Sequence, residues 1–192
     1  MRYIKSVFTI FLAVFLLTGC SKESQKIKKA EQSQQQSNEK KKFELELQDI
    51  NGSKISIKVN ENGIKIENLD NKIVMLDFFA TWCPPCKAEI PHLVNIQNRF
   101  GDKIKIIGIL LEKDKNIGEL KRFIQEFKIN YFVSNSKDNF EIAKIIYAAV
   151  QAPRNMPIPL MVIFKDGKYK THYLGAVPEE MIVSDIKNIL GE

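Results

Sequence analysis

The chain has 192 residues, 44% of them apolar and 27% charged. That mix fits one globular domain and excludes a wholly disordered or collagen-like chain, and three cysteines are too few for a disulfide scaffold. The net charge of +6 does not point to nucleic acid, because residues 1–19 carry +2, residues 21–42 carry +4, and residues 43–192 hold 20 basic and 20 acidic side chains.

Arg2 and Lys5 precede an apolar run at residues 7–17. Eleven helical residues span about 17 Å against a hydrocarbon core of about 30 Å, so the run reads as a signal-peptide core rather than a membrane span. It ends in Leu17-Thr18-Gly19-Cys20, which resembles a bacterial lipobox. The resemblance implies a leader at 1–19, lipid on Cys20, and a domain tethered to the cell envelope, facing the periplasm or the cell exterior. Residues 21–42 contain only Ile27 and Ala30 as apolar residues. They read as a tether with a reach of about 26 Å, or as a solvated helix; neither can build a core.

From residue 43 the pattern has period two. Phe43, Leu45 and Leu47 alternate with polar residues, as do Ile55, Ile57 and Val59, with Asn51-Gly52 between them; this predicts a β-hairpin, followed by a short strand at 63–67. Residues 72–79 are nearly continuous apolar sequence, the mark of a strand buried on both faces. A helix is expected at 84–100, ended by Gly101. A buried strand follows at 104–111. Leu120, Phe123, Ile124 and Phe127 recur at helical spacing. A short strand at 131–133, a helix at 140–150, a hairpin of 160–164 with 168–174 around Asp166-Gly167, and a last helix from Pro178 to Leu190 complete the chain. This order predicts an α/β domain at 43–192: a mixed central sheet flanked by helices, with an N-terminal β-hairpin extension.

Trp82-Cys83-Pro84-Pro85-Cys86 joins the buried strand to the helix. Thiol–disulfide exchange needs a thiolate, and the unpaired N–H groups and dipole of a helix N-terminus stabilise one at Cys83. Pro84 suits the first helical position, where its missing N–H loses nothing. Cys86 lies one turn on, placed to resolve a mixed disulfide at Cys83. A structural disulfide and half a zinc site are the alternatives. The second is short of ligands, because only Cys83, Cys86, His92 and His172 remain beyond Cys20. No metal site and no cofactor beyond the Cys83–Cys86 dithiol are expected.

Residues 74–91, VMLDFFATWCPPCKAEIP, and residues 158–167, IPLMVIFKDG, resemble the two hallmarks of the thioredoxin superfamily. Pro91 matches the proline inside the family's active-site helix. With the hairpin, the extra helix and strand near 117–133 and the lipid anchor, the chain looks most like the TlpA/ResA branch of membrane-tethered oxidoreductases. The resemblance implies a thioredoxin-like fold. It implies a cis Pro159 facing the cysteines, although a trans, extended segment is the default for an X-Pro bond. Ile158 would then offer its backbone to an extended substrate, with Trp82 and Pro84 also lining the substrate site.

Two acids invite two readings each. Asp77 interrupts an apolar strand. It is either salt-bridged for stability or, as its match to the buried acid of thioredoxin implies, a proton acceptor for Cys86. Glu89 is either a solvated helix residue or the acid that lines the active-site groove of the ResA branch. Trp82 is either a shield over the disulfide or a core residue.

The function this implies is a tethered reductase of protein disulfides. Its partners would be cysteine-containing proteins, apocytochrome c among them in cytochrome c maturation, and a membrane thiol-transfer protein as electron donor. No nucleic-acid partner and a monomeric state are expected. A disulfide oxidant or isomerase, and a copper chaperone using Cys83, Cys86 and His92, are the competing functions.

Overall fold

The computed structural model describes residues 43–60, 63–66, 69 and 72–192. The leader, Cys20 and the tether lie outside the described residues. Among the described residues three strands come first: β1 (Phe43–Gln48), β2 (Lys54–Asn60) and β3 (Gly63–Ile66). They form an antiparallel sheet in that order. Asp49 closes the first turn, its Oδ1 accepting from the backbone N–H groups of Asn51 and Ser53, both at 2.8 Å. Gly52 takes φ +85° there, a conformation that side chains disfavour.

The strand read as buried on both faces is β4 (Ile73–Phe79), and all seven of its residues are buried. It is the middle strand of a five-stranded sheet ordered β6-β5-β4-β7-β8. Here β5 is Ile104–Leu110, β6 Phe132–Ser134, β7 Leu160–Lys165 and β8 Lys168–Leu174. β4 runs parallel to β5 and antiparallel to β7, so the sheet is mixed. Among the described residues four α-helices flank it: α1 (Pro84–Phe100), α2 (Ile117–Glu126), α3 (Asn139–Ala149) and α4 (Glu179–Leu190). None of the described helices is long and apolar enough to cross a membrane.

The period-two geometry of β4 divides the core. Val74, Leu76 and Phe78 pack with Ile142, Ile146 and Tyr147 of α3 and with Leu47 and Ile57 of the smaller sheet. Ile73 and Met75 pack with Leu93 and Ile96 of α1 and with Ile182 and Ile186 of α4. Phe79 joins Leu120 and Phe123 of α2 and the two redox-motif cysteines. Asp77, between Met75 and Phe79, therefore belongs to the face covered by α1.

Local contacts set the helix starts, and those of α3 and α4 move by one residue from their sequence-based positions. α2 starts at Ile117 because Asn116 caps it, its Oδ1 accepting from Gly118 and Glu119 N–H at 2.8 and 3.2 Å. α3 starts at Asn139, whose side chain turns inward and donates to the carbonyls of Leu110 and Ser134, both at 2.9 Å, while accepting from Ser134 Oγ at 2.6 Å. Pro178 is the N-cap of α4 rather than its first residue.

Candidate redox site

β4 ends at Phe79, and the chain turns through Ala80, Thr81 and Trp82. Cys83 N–H donates to Ala80 O at 3.2 Å, and Cys83 then caps α1 with extended backbone, φ −85° and ψ 111°. Pro84 and Pro85 occupy the first two helical positions, where the absent N–H groups would have had no intrahelical acceptor. The N–H of Cys86 donates to Cys83 Sγ at 3.3 Å. The helix start therefore directs a hydrogen bond and its positive end at the first sulfur and not at the second. Cys83 and Cys86 form a disulfide, with Cα atoms 5.3 Å apart.

The helix start does not expose the thiols to solvent: Cys83 is 3% and Cys86 1% exposed. Both pack in one apolar cluster with Phe79, Ala80, Ile90 and Leu110, and Ile158 lies against it. The difference between the two sulfurs is thus one of hydrogen bonding and dipole, not of access. Trp82 is 66% exposed, which overturns the core-packing reading. Pro84 is exposed beside it.

Across from the cysteines the Ile158–Pro159 bond is cis. The Ile158 carbonyl oxygen is 4.0 Å from Cys83 Sγ. This loop is held from both ends. Tyr147 Oη donates to Pro157 O at 2.8 Å, and Pro159 O accepts from Gly175 N–H at 2.9 Å.

The two acids sit on the elements that meet at this corner, Asp77 on β4 and Glu89 on α1 one turn after Cys86. Asp77 is 2% and Glu89 1% exposed, so Glu89 is not on a solvated face. Asp77 Oδ1 and both Glu89 carboxylate oxygens have no hydrogen-bond partner among the described residues, which removes the support for a salt-bridged Asp77. Burial raises the pKa of Asp77. Burial raises that of Glu89, and the neighbouring charge of Asp77 raises it further. Such a pair resists carrying two negative charges at once. Tyr131 belongs to the same neighbourhood: burial, then Asp77, then Glu89, hold its hydroxyl well above the ordinary phenol range.

His92 lies away from this group, with Nδ1 3.3 Å from Glu179 Oε2 on α4. Among the described residues no three His, Cys, Asp or Glu side chains are arranged to hold a metal ion.

Sequence reasoning missed several residues here. Gly108 pairs with Asp77 across β4 and β5, and a Cβ on it would meet Phe79 Cε1 at 3.1 Å and Tyr131 Cε2 at 3.3 Å. A glycine inside a buried apolar strand signals this kind of close approach. Tyr131 carried no signal beyond a short apolar run. Glu112 accepts a hydrogen bond from the Thr81 backbone N–H and pairs with Lys115 at 3.3 Å. Charged residues directly after a buried parallel strand, at the carboxyl end of the sheet where sites in α/β folds gather, were the available clue.

Residues 37–168 match the AhpC/TSA family. The thiol-disulfide oxidoreductase ResA of Oceanobacillus iheyensis is 31% identical over 91 residues, 47% of this chain and 46% of that one. The chloroplastic thioredoxin Y of Oryza sativa subsp. japonica is 27% identical over 119 residues, 62% of this chain and 52% of that one. The chain thus spans about half the length of these curated relatives. Among solved structures, a thiol:disulfide interchange protein of the thioredoxin family from Chlorobium tepidum superposes with a TM-score of 0.60 at 20% identity, over 77% of this chain and 94% of that one. At that identity the likeness shows the fold, which is thioredoxin-like.

Proposed function

The chain belongs to the AhpC/TSA family, and from that premise we propose that it is an extracytoplasmic thiol–disulfide oxidoreductase that reduces protein disulfides. The observation that carries this reading is the Cys83–Cys86 disulfide at the start of α1, facing the cis Ile158–Pro159 bond. A structural disulfide would need neither the helix start nor the facing loop.

The reaction has two exchanges. In the reduced protein the Cys83 thiolate, stabilised by the Cys86 N–H and the helix dipole, attacks one sulfur of a substrate disulfide. The Cys83–substrate S–S bond forms, the substrate S–S bond breaks, and the released thiolate takes a proton. Cys86 then gives its proton to the buried acid pair, Asp77 in the first place, and attacks Cys83 Sγ. The Cys83–Cys86 bond forms, the second substrate sulfur leaves and is protonated, and two electrons have passed to the substrate. Glu89, raised by burial and further by Asp77, keeps its proton, so the pair carries its single negative charge on Asp77, and that carboxylate accepts the Cys86 proton. Trp82 and Pro84, exposed at the helix start, and Ile158, packed against the cysteines, are the residues a substrate would meet at Cys83, with Pro159 next to Ile158 in the facing loop.

No cofactor is required beyond the dithiol. Lipid at Cys20 and the tether at 21–42 would hold the domain near the membrane, where a membrane thiol-transfer protein re-reduces it. Unfolded, cysteine-containing chains such as apocytochrome c are its substrate class. The same steps run backwards oxidise dithiols, and the potential of the pair decides between the directions. Thiol trapping of Cys83 and Cys86 in growing cells tests the proposal. A pair found mostly reduced supports a reductase, and a pair found mostly oxidised transfers the assignment to an oxidant.

A further inference from the structure

The loop after β5 reaches back to the active-site turn. Glu112 accepts a hydrogen bond from the backbone N–H of Thr81, a residue only 8% exposed and two positions before Cys83. The same carboxylate contacts Lys115 Nζ through its other oxygen at 3.3 Å, and Lys115 Nζ lies 3.3 Å from Glu119 Oε2 in the first turn of α2. The Glu112 and Lys115 side chains are 11% and 19% exposed, so this pair is partly withdrawn from water, unlike most surface ion pairs. Burial pulls the Lys115 ammonium down, but its hydrogen bond to Glu119 and the charge and hydrogen bond of Glu112 outweigh that, leaving it above the ordinary lysine range.

We propose that Glu112 and Lys115 are positioning residues of the redox site. The Glu112 carboxylate fixes the Thr81 amide and with it the turn that delivers Cys83 to the helix start, and the Lys115 ammonium cancels the Glu112 charge near the attacking sulfur. Without Glu112 the Thr81 N–H would be a buried donor with no acceptor, and Ala80 to Trp82 would be free to take another turn. A lone carboxylate bonded to the amide two residues before Cys83, at most about 7 Å away along the backbone, would also oppose the thiolate that the helix start favours. Lys115, held on its far side by Glu119, supplies the opposing charge. Asp77 on β4, Glu89 on α1 and Tyr131, which interacts with both acids, are the same in every variant below. This role rests on Cys83 being the attacking thiol, as proposed above.

The sign of the effect separates charge cancellation from simple structural support. Glu112→Gln keeps an oxygen to accept from Thr81 but removes the negative charge. Lys115→Met leaves that charge uncompensated. The test is the pH dependence of iodoacetamide alkylation of Cys83 in the reduced, full-length protein with Cys86→Ser in the background. Glu112→Gln is expected to move the alkylation midpoint down and Lys115→Met to move it up. Each shift is roughly 0.4 to 1.7 pH units, the range given by unit charges about 7 Å apart between water-like and protein-like screening. Lys115→Arg keeps the charge and is expected to restore the parental midpoint; it carries the test if Glu112→Gln does not fold. Midpoints that move in the same direction in both variants, or do not move in either, overturn the proposal. So does an Arg variant that behaves as Met. Because the assay needs no protein substrate, a normal charge response combined with no disulfide reductase activity would reject the proposed function and leave this inference standing.

Discussion

Replacing Glu89 by Gln probes the buried acid pair without changing its shape. Glu89 is 1% exposed, and neither carboxylate oxygen has a partner among the described residues. In the folded protein its pKa is raised, by burial first and by Asp77 second, while in the unfolded chain it sits near the ordinary value of about 4.3. Above that value the unfolded chain has released the proton and the folded chain has kept it. Stability then falls as pH rises, by about 1.4 kcal/mol per pH unit for one retained proton, until the folded group ionises as well. From pH 5 to pH 7 the loss attributable to Glu89 reaches about 3 kcal/mol, a large part of a typical domain stability of about 5–15 kcal/mol. The glutamine side chain of the variant has no proton to retain. Its buried amide adds an offset of about 1–3 kcal/mol, but that offset does not change with pH. Urea unfolding of the oxidised wild-type and Glu89→Gln proteins at pH 5, 6 and 7 should therefore show the variant gaining on the wild type by about 3 kcal/mol across the range. Parallel stability curves, or a variant that loses ground with rising pH, would mean instead that Glu89 folds as a solvated or partnered carboxylate, and the buried acid pair would have to be given up.

Asp77→Asn should show the same pH-dependent gain from its own raised pKa. It should also slow resolution of the mixed disulfide, by on the order of 10²-fold if Asp77 is the base, while leaving the first attack by Cys83 intact; stopped-flow measurement of the two steps separates these effects. Gly108→Ala should cost about 1–3 kcal/mol by overpacking, because its Cβ would lie 3.1 Å from Phe79 and 3.3 Å from Tyr131, and its denaturation midpoint reads this directly. Asn139→Ala removes donors to Leu110 O and Ser134 O and the acceptor of Ser134 Oγ. It should lower stability by about 2–4 kcal/mol, the sum of lost hydrogen bonds and unpaired buried groups, with an unchanged midpoint counting against this reading of the network.

The sheet and the redox motif were legible because their signals are local. The apolar run of β4, the alternation of β1 and β2, and the Pro84 and Gly101 boundaries of α1 each follow from a few adjacent residues. The face of Asp77 follows from strand period alone once β4 is identified. What the sequence could not convey depends on distant contacts. Glu89 is one turn from Cys86 and polar, and only the packing of α1 against β4 makes it buried rather than solvated. The equal burial of Cys83 and Cys86 arises from Ile158, 75 residues beyond Cys83, and from Leu110 on the neighbouring strand. Glu112 meets Thr81 because β4 and β5 are parallel neighbours that end together, with Phe79 paired to Leu110; no pattern within either segment contains that fact.

That Cys83 attacks and Cys86 resolves can be decided by trapping the mixed disulfide. The reduced Cys86→Ser protein, mixed with a cysteine-containing peptide disulfide and then acid-quenched, should carry one peptide linked through Cys83 by intact mass and fragment mapping. The Cys83→Ser protein should carry little or none. Stable adducts at Cys86 in the Cys83→Ser protein, formed as fast as those at Cys83, would contradict the assignment.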